Sequence, residues 1–137
     1  IPTIITQALT GDCIRLGNLA ARRDFTYVRD TVNGFLLAAG APDVAGEEIN
    51  LGTGQDVTVG ELAERIIALT GRPVTIAAEE RRLRPEKSEV MRLLSDNGLA
   101  RRLLGWEPTY SLDEGLRETI SWIGDHLDFY HVGRYEI

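Results

Sequence analysis

With 137 residues, 43% of them hydrophobic, the chain holds enough apolar material for one cored domain and too little for two. Its single cysteine, Cys13, excludes an internal disulfide, and no cysteine cluster, paired-histidine motif or carboxylate cage points to a metal. The formal net charge of -6 argues against a nucleic-acid binder, and no apolar run approaches the roughly 20 residues that cross a bilayer. A cytoplasmic protein is therefore expected, without nucleic-acid or membrane partners. The chain opens Ile1-Pro2-Thr3-Ile4-Ile5, without Met and already in helical pattern, so it reads as a fragment.

Pro2 in a first turn and apolar Ile4, Ile5, Ala8 and Leu9 predict a short helix closing at Gly11. Residues 13–16 and 24–27 read as short strands on either side of a Gly17-Asn18 turn. From Val28 the apolar stripe Val28, Val32, Phe35, Leu36, Ala39 has helical spacing and stops at Gly40 and Pro42. Glu48 to Leu51 reads as a strand, followed by Gly52-Thr53-Gly54. Thr58 and Glu61 then form a capping box ahead of a helix with Leu62, Ile66 and Leu69 on one face, ended by Gly71 and Pro73. Val74 to Ala77 is β-branched and strand-like, and Pro85 makes the charged stretch after it irregular. Asp96 or Asn97 caps a short helix ending at Gly105, and Trp106-Glu107-Pro108 is a turn with an aromatic anchor. Ser111 and Glu114 form a second capping box for a helix carrying Leu112, Leu116, Ile120, Ile123 and Leu127.

Basic residues are concentrated in two islands. Residues 12–30 carry four Arg against three Asp, and residues 79–102 carry six Arg and one Lys against four Glu and one Asp, on an otherwise acidic chain. Arginine offers a planar fork of donors that suits phosphate or carboxylate oxygens, so two islands brought together would make a small anion pocket. The competing reading is a set of solvated surface charges. Within the second island, Arg84 next to Pro85 is held with little freedom to lose. Carboxylates a few residues on could accept from ribose hydroxyls.

Other chemistry is missing. Gly52-Thr53-Gly54 lies between a strand and a helix, but the third glycine of a dinucleotide fingerprint would fall at Val57, so a glycine turn accounts for it. His126 and His131 have no Ser or Cys to activate. The one lysine, Lys87, follows Leu83 by four residues, which rules out a Tyr-x-x-x-Lys pair.

The series LGN-L-x-A-x-RDF-x-YV-x-D, INLGTG-x-x-V-T-V-x-E-L, an RP-x-E-type loop and DN-x-x-A-R-x-x-LGW-x-P resembles the carboxyl-terminal part of extended short-chain dehydrogenase/reductases, the nucleotide-sugar epimerases and dehydratases. The stretch LGNLAARRD is most similar to the GDP-mannose 4,6-dehydratase branch. The resemblance implies an α/β fragment, mixed α+β in its elements. It would comprise the last Rossmann strand at Glu48 to Leu51, its flanking helices and a small substrate-binding lobe, all in one region spanning 1–137. The Rossmann cofactor domain would be largely absent. In such enzymes the amino-terminal half binds NAD or NADP and carries Tyr-x-x-x-Lys, so no catalytic or cofactor-binding residue, and no bound cofactor, is expected on this chain.

By the same resemblance, Arg23 and Arg84 would hold the diphosphate of a GDP- or UDP-sugar, Glu86 or Glu89 the ribose, and Leu16, Gly17 and Asn18 the base. The family loop often places its carboxylate three residues after the Arg, where this chain has Lys87, leaving Glu86 and Glu89 as alternatives; Leu99 stands where relatives tend to have Lys. The implied reaction of the intact protein is 4,6-dehydration of the sugar, with a 4-epimerase, a decarboxylase or a non-catalytic binding module as alternatives. An orphan strand at 48–51 would expose an edge that a second copy could cover, so a homodimer is expected.

Overall fold

The computed structural model describes residues 1–82 and 89–130. They form mixed α/β structure in two compact units: Ile1–Ala21, Thr58–Met91 and Leu116–Ile137 make one, and Arg22–Val57 with Arg92–Gly115 make the other.

The first unit begins with helix α1 (Pro2–Thr10), capped by Gly11, and strand β1 (Cys13–Leu16). Helix α3 (Val59–Thr70) leads to strand β4 (Thr75–Ala78), which pairs in parallel with β1 from Cys13 opposite Thr75 to Leu16 opposite Ala78. A parallel pair needs apolar cover. It comes from α1, whose Ile5 and Ala8 are fully buried, and from α3, whose Ala63 and Ile66 are fully buried, around Ile14 of β1. The expected capping box of α3 is formed: Glu61 N–H donates to Thr58 Oγ1 at 3.0 Å and Thr58 N–H to Glu61 Oε2 at 2.7 Å. Gly71, at φ +66°, closes the helix in the left-handed conformation that glycine tolerates best.

The second unit holds strand β2 (Arg22–Asp24), helix α2 (Val28–Gly40), most of β3 (Asp56–Thr58), β5 (Arg92–Leu93) and helix α4 (Gly98–Leu104). The strands lie in the order β3–β2–β5, with β2 and β5 parallel. Trp106 is fully buried, as its anchoring role requires, and its Nε1–H donates to the Asp30 carbonyl at 2.9 Å. The Asp30 side chain, 2% exposed, accepts from Thr109 N–H (3.0 Å), Thr109 Oγ1–H (2.7 Å) and Tyr110 N–H (3.1 Å). Helix α2 is thereby tied to the loop ahead of the last helix, α5 (Leu112–Asp125), whose Ser111–Glu114 capping box is formed as expected.

Two elements depart from the sequence reading. Strand β2 covers 22–24 rather than 24–27, because β5 offers two residues for pairing, opposite Arg22 and Arg23. Residues 48–51 form no strand, since no described residue gives them a ladder; Leu51 instead packs against Gly34, where a Cβ would collide with it. Helix α2 forms over Val28–Gly40 as expected, with its stripe facing outward: Val28, Val32, Phe35 and Leu36 are 61, 50, 66 and 69% exposed, while Asp30 and Gly34 are buried.

Asp56 is clasped by two arginines, Arg22 Nε at 2.6 Å and Arg92 Nε at 2.5 Å. Hydrogen bonds from Arg92 and Arg22 hold its carboxyl below the usual carboxylate range. A lowered folded-state pKa contributes stability that is complete above the unfolded value, near 3.9, and is lost as pH falls through the folded one. Asp56→Asn is therefore expected to be less stable than the parent at pH 7, and the gap should narrow as pH falls below the unfolded carboxylate value, near 3.9. Urea unfolding at several pH values measures it, and an equal gap at all of them would contradict the assignment.

Candidate functional site

In the first unit, the end of β1 is a meeting point. Leu16 carbonyl accepts from Glu79 N–H at 2.7 Å, continuing the β1–β4 ladder by one residue. Gly17 is required here, because a Cβ would run into the backbone of Arg82. Asn18 Oδ1 accepts from Ala20 N–H at 3.0 Å, which folds the turn, and its Nδ2–H lies 3.3 Å from the Met91 sulfur. Arg82 and Met91 are thus both seated on Gly17 and Asn18, and the half-buried Glu89 belongs to the same unit. Arg84 and Glu86 lie outside the described residues.

In the second unit, Arg23 sits in β2 directly opposite Leu93 of β5. Successive side chains of a strand point to opposite faces, so Arg23 faces away from Arg22 and Asp24. Its Nη1–H donates to the Arg22 carbonyl at 2.8 Å. Several other island arginines are occupied by carboxylates: Arg22 and Arg92 by Asp56, and Arg81 and Arg82 by Glu79, whose carboxyl is held below its usual range by hydrogen bonds from Arg82 and then Arg81. The island charge is therefore partly spent inside the protein, which sequence counting could not reveal.

The carboxylates that organise this unit escaped the sequence reading. Asp24 Oδ1 accepts from Thr53 N–H (3.0 Å) and Thr53 Oγ1–H (2.6 Å), and its Oδ2 accepts from Gly54 N–H (2.9 Å) and Ser95 N–H (3.4 Å). Asn97 Nδ2–H holds the Gly52 carbonyl at 2.7 Å. Beside them is a cavity of about 280 Å³ lined by Asp24, Thr26, Leu51, Gly52, Leu93 and Leu94, among others. The loop amides that a dinucleotide phosphate would need are already bonded to Asp24, so Gly52-Thr53-Gly54 does not fit a cofactor pyrophosphate. The signal available in the sequence was the Asp next to Arg23 within a recognisable motif.

Asp24→Asn places an amide NH2 against donors and leaves part of the loop without an acceptor. We expect amide exchange at Thr53 and Gly54 to accelerate roughly tenfold, the factor that about 1.4 kcal/mol makes in an opening equilibrium. Unchanged exchange rates would show that the carboxylate does not hold the loop. Among the described residues no cluster of His, Cys, Asp and Glu could hold a metal ion, and no helix is long and apolar enough to cross a membrane.

Residues 1–119 match the family model described as GDP-mannose 4,6 dehydratase. A UDP-glucuronate 4-epimerase from Thermodesulfobacterium geofontis is 31% identical over 113 residues, which are 82% of this chain and 33% of that protein. The epimerase Mth375 of Methanothermobacter thermautotrophicus superposes with a TM-score of 0.84 at 32% identity, over 93% of this chain and 38% of its own. A UDP-glucuronic acid 4-epimerase from Bacillus cereus, solved with UDP-glucuronic acid and NAD, does so with a TM-score of 0.82 at 25% identity, over 90% and 39%. The chain thus spans between a third and two-fifths of the length of these relatives. The motif order, the β1–β4 and β2–β5 pairings and these matches agree: the chain belongs to the GDP-mannose 4,6 dehydratase family, among the NAD-dependent epimerases and dehydratases of the extended short-chain dehydrogenase/reductases.

Proposed function

We propose that this chain is the nucleotide-sugar-binding part of an NAD(P)-dependent 4,6-dehydratase that converts a nucleoside-diphosphate sugar to its 4-keto-6-deoxy derivative. Arg23 and Arg84 hold the diphosphate, Glu86 or Glu89 the ribose, and Leu16, Gly17 and Asn18 the base. The Rossmann half of the intact protein supplies the cofactor and the catalytic groups, so the isolated chain is inactive. The intact protein is a cytoplasmic homodimer.

One observation carries the reading. The two basic segments run side by side in each unit, Leu16–Asn18 against Glu79, Arg82 and Met91 in one, Arg22–Arg23 against Arg92–Leu93 in the other. Within each unit, a group held by one segment thus has part of the other beside it. The structure with bound UDP-glucuronic acid and NAD is that of a similar protein and supports a UDP-sugar as the ligand class, while the family model described as GDP-mannose 4,6 dehydratase supports a GDP-sugar.

The test is incubation of the intact protein with NAD(P) and UDP- or GDP-hexoses, and separately with UDP-glucuronic acid, whose carboxyl a decarboxylase could release, followed by mass spectrometry. A product lighter by one water supports the dehydratase. A product of unchanged mass and altered stereochemistry gives the reaction to a 4-epimerase, the second reading, which the three epimerases described above favour. Loss of carbon dioxide identifies a decarboxylase, and tight binding without turnover a binding module.

A further inference from the structure

We propose that Met91 is an oxidant-sensitive modification site acting on Asn18: a peroxide converts its thioether to the sulfoxide, and the Leu16–Asn18 turn then holds a nucleotide base more weakly. The effect on binding rests on the reading of that turn as the base subsite, whereas the chemistry at the sulfur rests on the geometry alone. Met91 is the one methionine of the chain and is 50% exposed, so a peroxide reaches it from solvent. Burial gives a half-exposed side chain little reason for its place. Its partner does: the sulfur lies 3.3 Å from Asn18 Nδ2 and accepts an N–H from it. The amide is held in that orientation, because Asn18 Oδ1 already accepts from Ala20 N–H at 3.0 Å. Gly17, closed against the Arg82 backbone, fixes the preceding residue of the turn.

In the oxidation, a sulfur lone pair attacks one peroxide oxygen and the S–O bond forms as the O–O bond breaks. The departing hydroxide or alkoxide takes the proton of the transferred OH and leaves as water or an alcohol. The sulfur loses two electrons and the peroxide gains them. A thioether has two lone pairs, and here they are not alike. An oxygen on the lone pair that faces Asn18 has no room, since sulfur and nitrogen are in hydrogen-bond contact. The oxygen therefore enters on the other lone pair, and one sulfoxide epimer is favoured. The sulfoxide sulfur is a poor acceptor and its oxygen a strong one, so Asn18 Nδ2–H loses its partner and follows the oxygen. That movement pulls Oδ1 from the Ala20 N–H that folds the turn.

The test uses the intact protein treated with hydrogen peroxide. Peptide mass spectrometry is expected to find one added oxygen at Met91, most of it removed by only one of the two epimer-specific methionine sulfoxide reductases. In Asn18→Ala, where nothing distinguishes the lone pairs, both epimers should form. Calorimetric titration with a UDP- or GDP-sugar should give roughly tenfold weaker binding after peroxide and recovery after reductase treatment. Met91→Leu should show no peroxide effect, which separates this sulfur from every other oxidisable group. Met91→Gln, whose side-chain carbonyl stands in for the sulfoxide oxygen, should bind as weakly as the oxidised parent. Met91 left unoxidised, equal amounts of the two epimers in the parent, or unchanged affinity once Met91 is oxidised overturns the inference. An untreated protein that binds no nucleotide sugar overturns the base-subsite reading first, and the inference with it.

Discussion

Asp30→Ala should lower the unfolding free energy by about 2 to 4 kcal/mol, the largest loss we expect from a single polar side chain. The carboxylate is 2% exposed and accepts three hydrogen bonds from two consecutive residues, Thr109 and Tyr110. Each bond to a charged acceptor contributes about 1.5–3 kcal/mol. The sum is discounted because the bonds share one carboxylate and because Thr109, exposed, can turn to water. Trp106 keeps its bond in the variant, since it donates to the Asp30 backbone carbonyl rather than to the side chain. The effect therefore isolates the tie between α2 and the 109–110 loop. Asp30→Asn, which keeps the shape and one acceptor, should fall between the parent and the alanine variant. Urea unfolding at pH 7 measures all three, and a change below about 1 kcal/mol for alanine would show that the loop finds other acceptors.

Arg23→Ala in the intact protein should weaken nucleotide-sugar binding by roughly 10- to 100-fold, and Arg84→Ala by a similar factor. A guanidinium facing a diphosphate makes charge-assisted hydrogen bonds of about 1.5–3 kcal/mol when shielded from water, and about 1.4 kcal/mol is tenfold in affinity. Arg22→Ala is the informative control: its guanidinium is committed to Asp56 and lies on the other face of β2. That variant should lose stability while binding the ligand far less than tenfold more weakly. Calorimetric titration with a UDP- or GDP-sugar distinguishes the two positions. Equal losses at Arg22 and Arg23 would mean that the strand is disturbed as a whole, and intact affinity in both Arg23→Ala and Arg84→Ala would remove the diphosphate assignment.

The elements legible in the sequence were those fixed by local rules. The capping boxes at Thr58–Glu61 and Ser111–Glu114, the stops at Gly71 and Gly105, and the helices between them follow from hydrogen-bonding groups within a few residues of each other. Trp106 was recognisable as an anchor from its place after a helix-ending glycine. Strand limits were read less well. The end of β2 depends on how much of β5 lies beside it, and the status of 48–51 on whether a neighbour exists at all.

The sequence by itself determined the family, the helices and their caps, and the presence of two basic segments, because each is written in contiguous or regularly spaced residues. Only the tertiary structure decided which arginines are already held by Asp56 and Glu79, that Asp24 occupies the amides of the Gly52–Gly54 turn, and that the apolar side of α2 faces outward. Those outcomes turn on which distant residues meet. A carboxylate more than thirty positions away along the chain neutralises Arg22, and periodicity locates an apolar stripe without saying what lies against it.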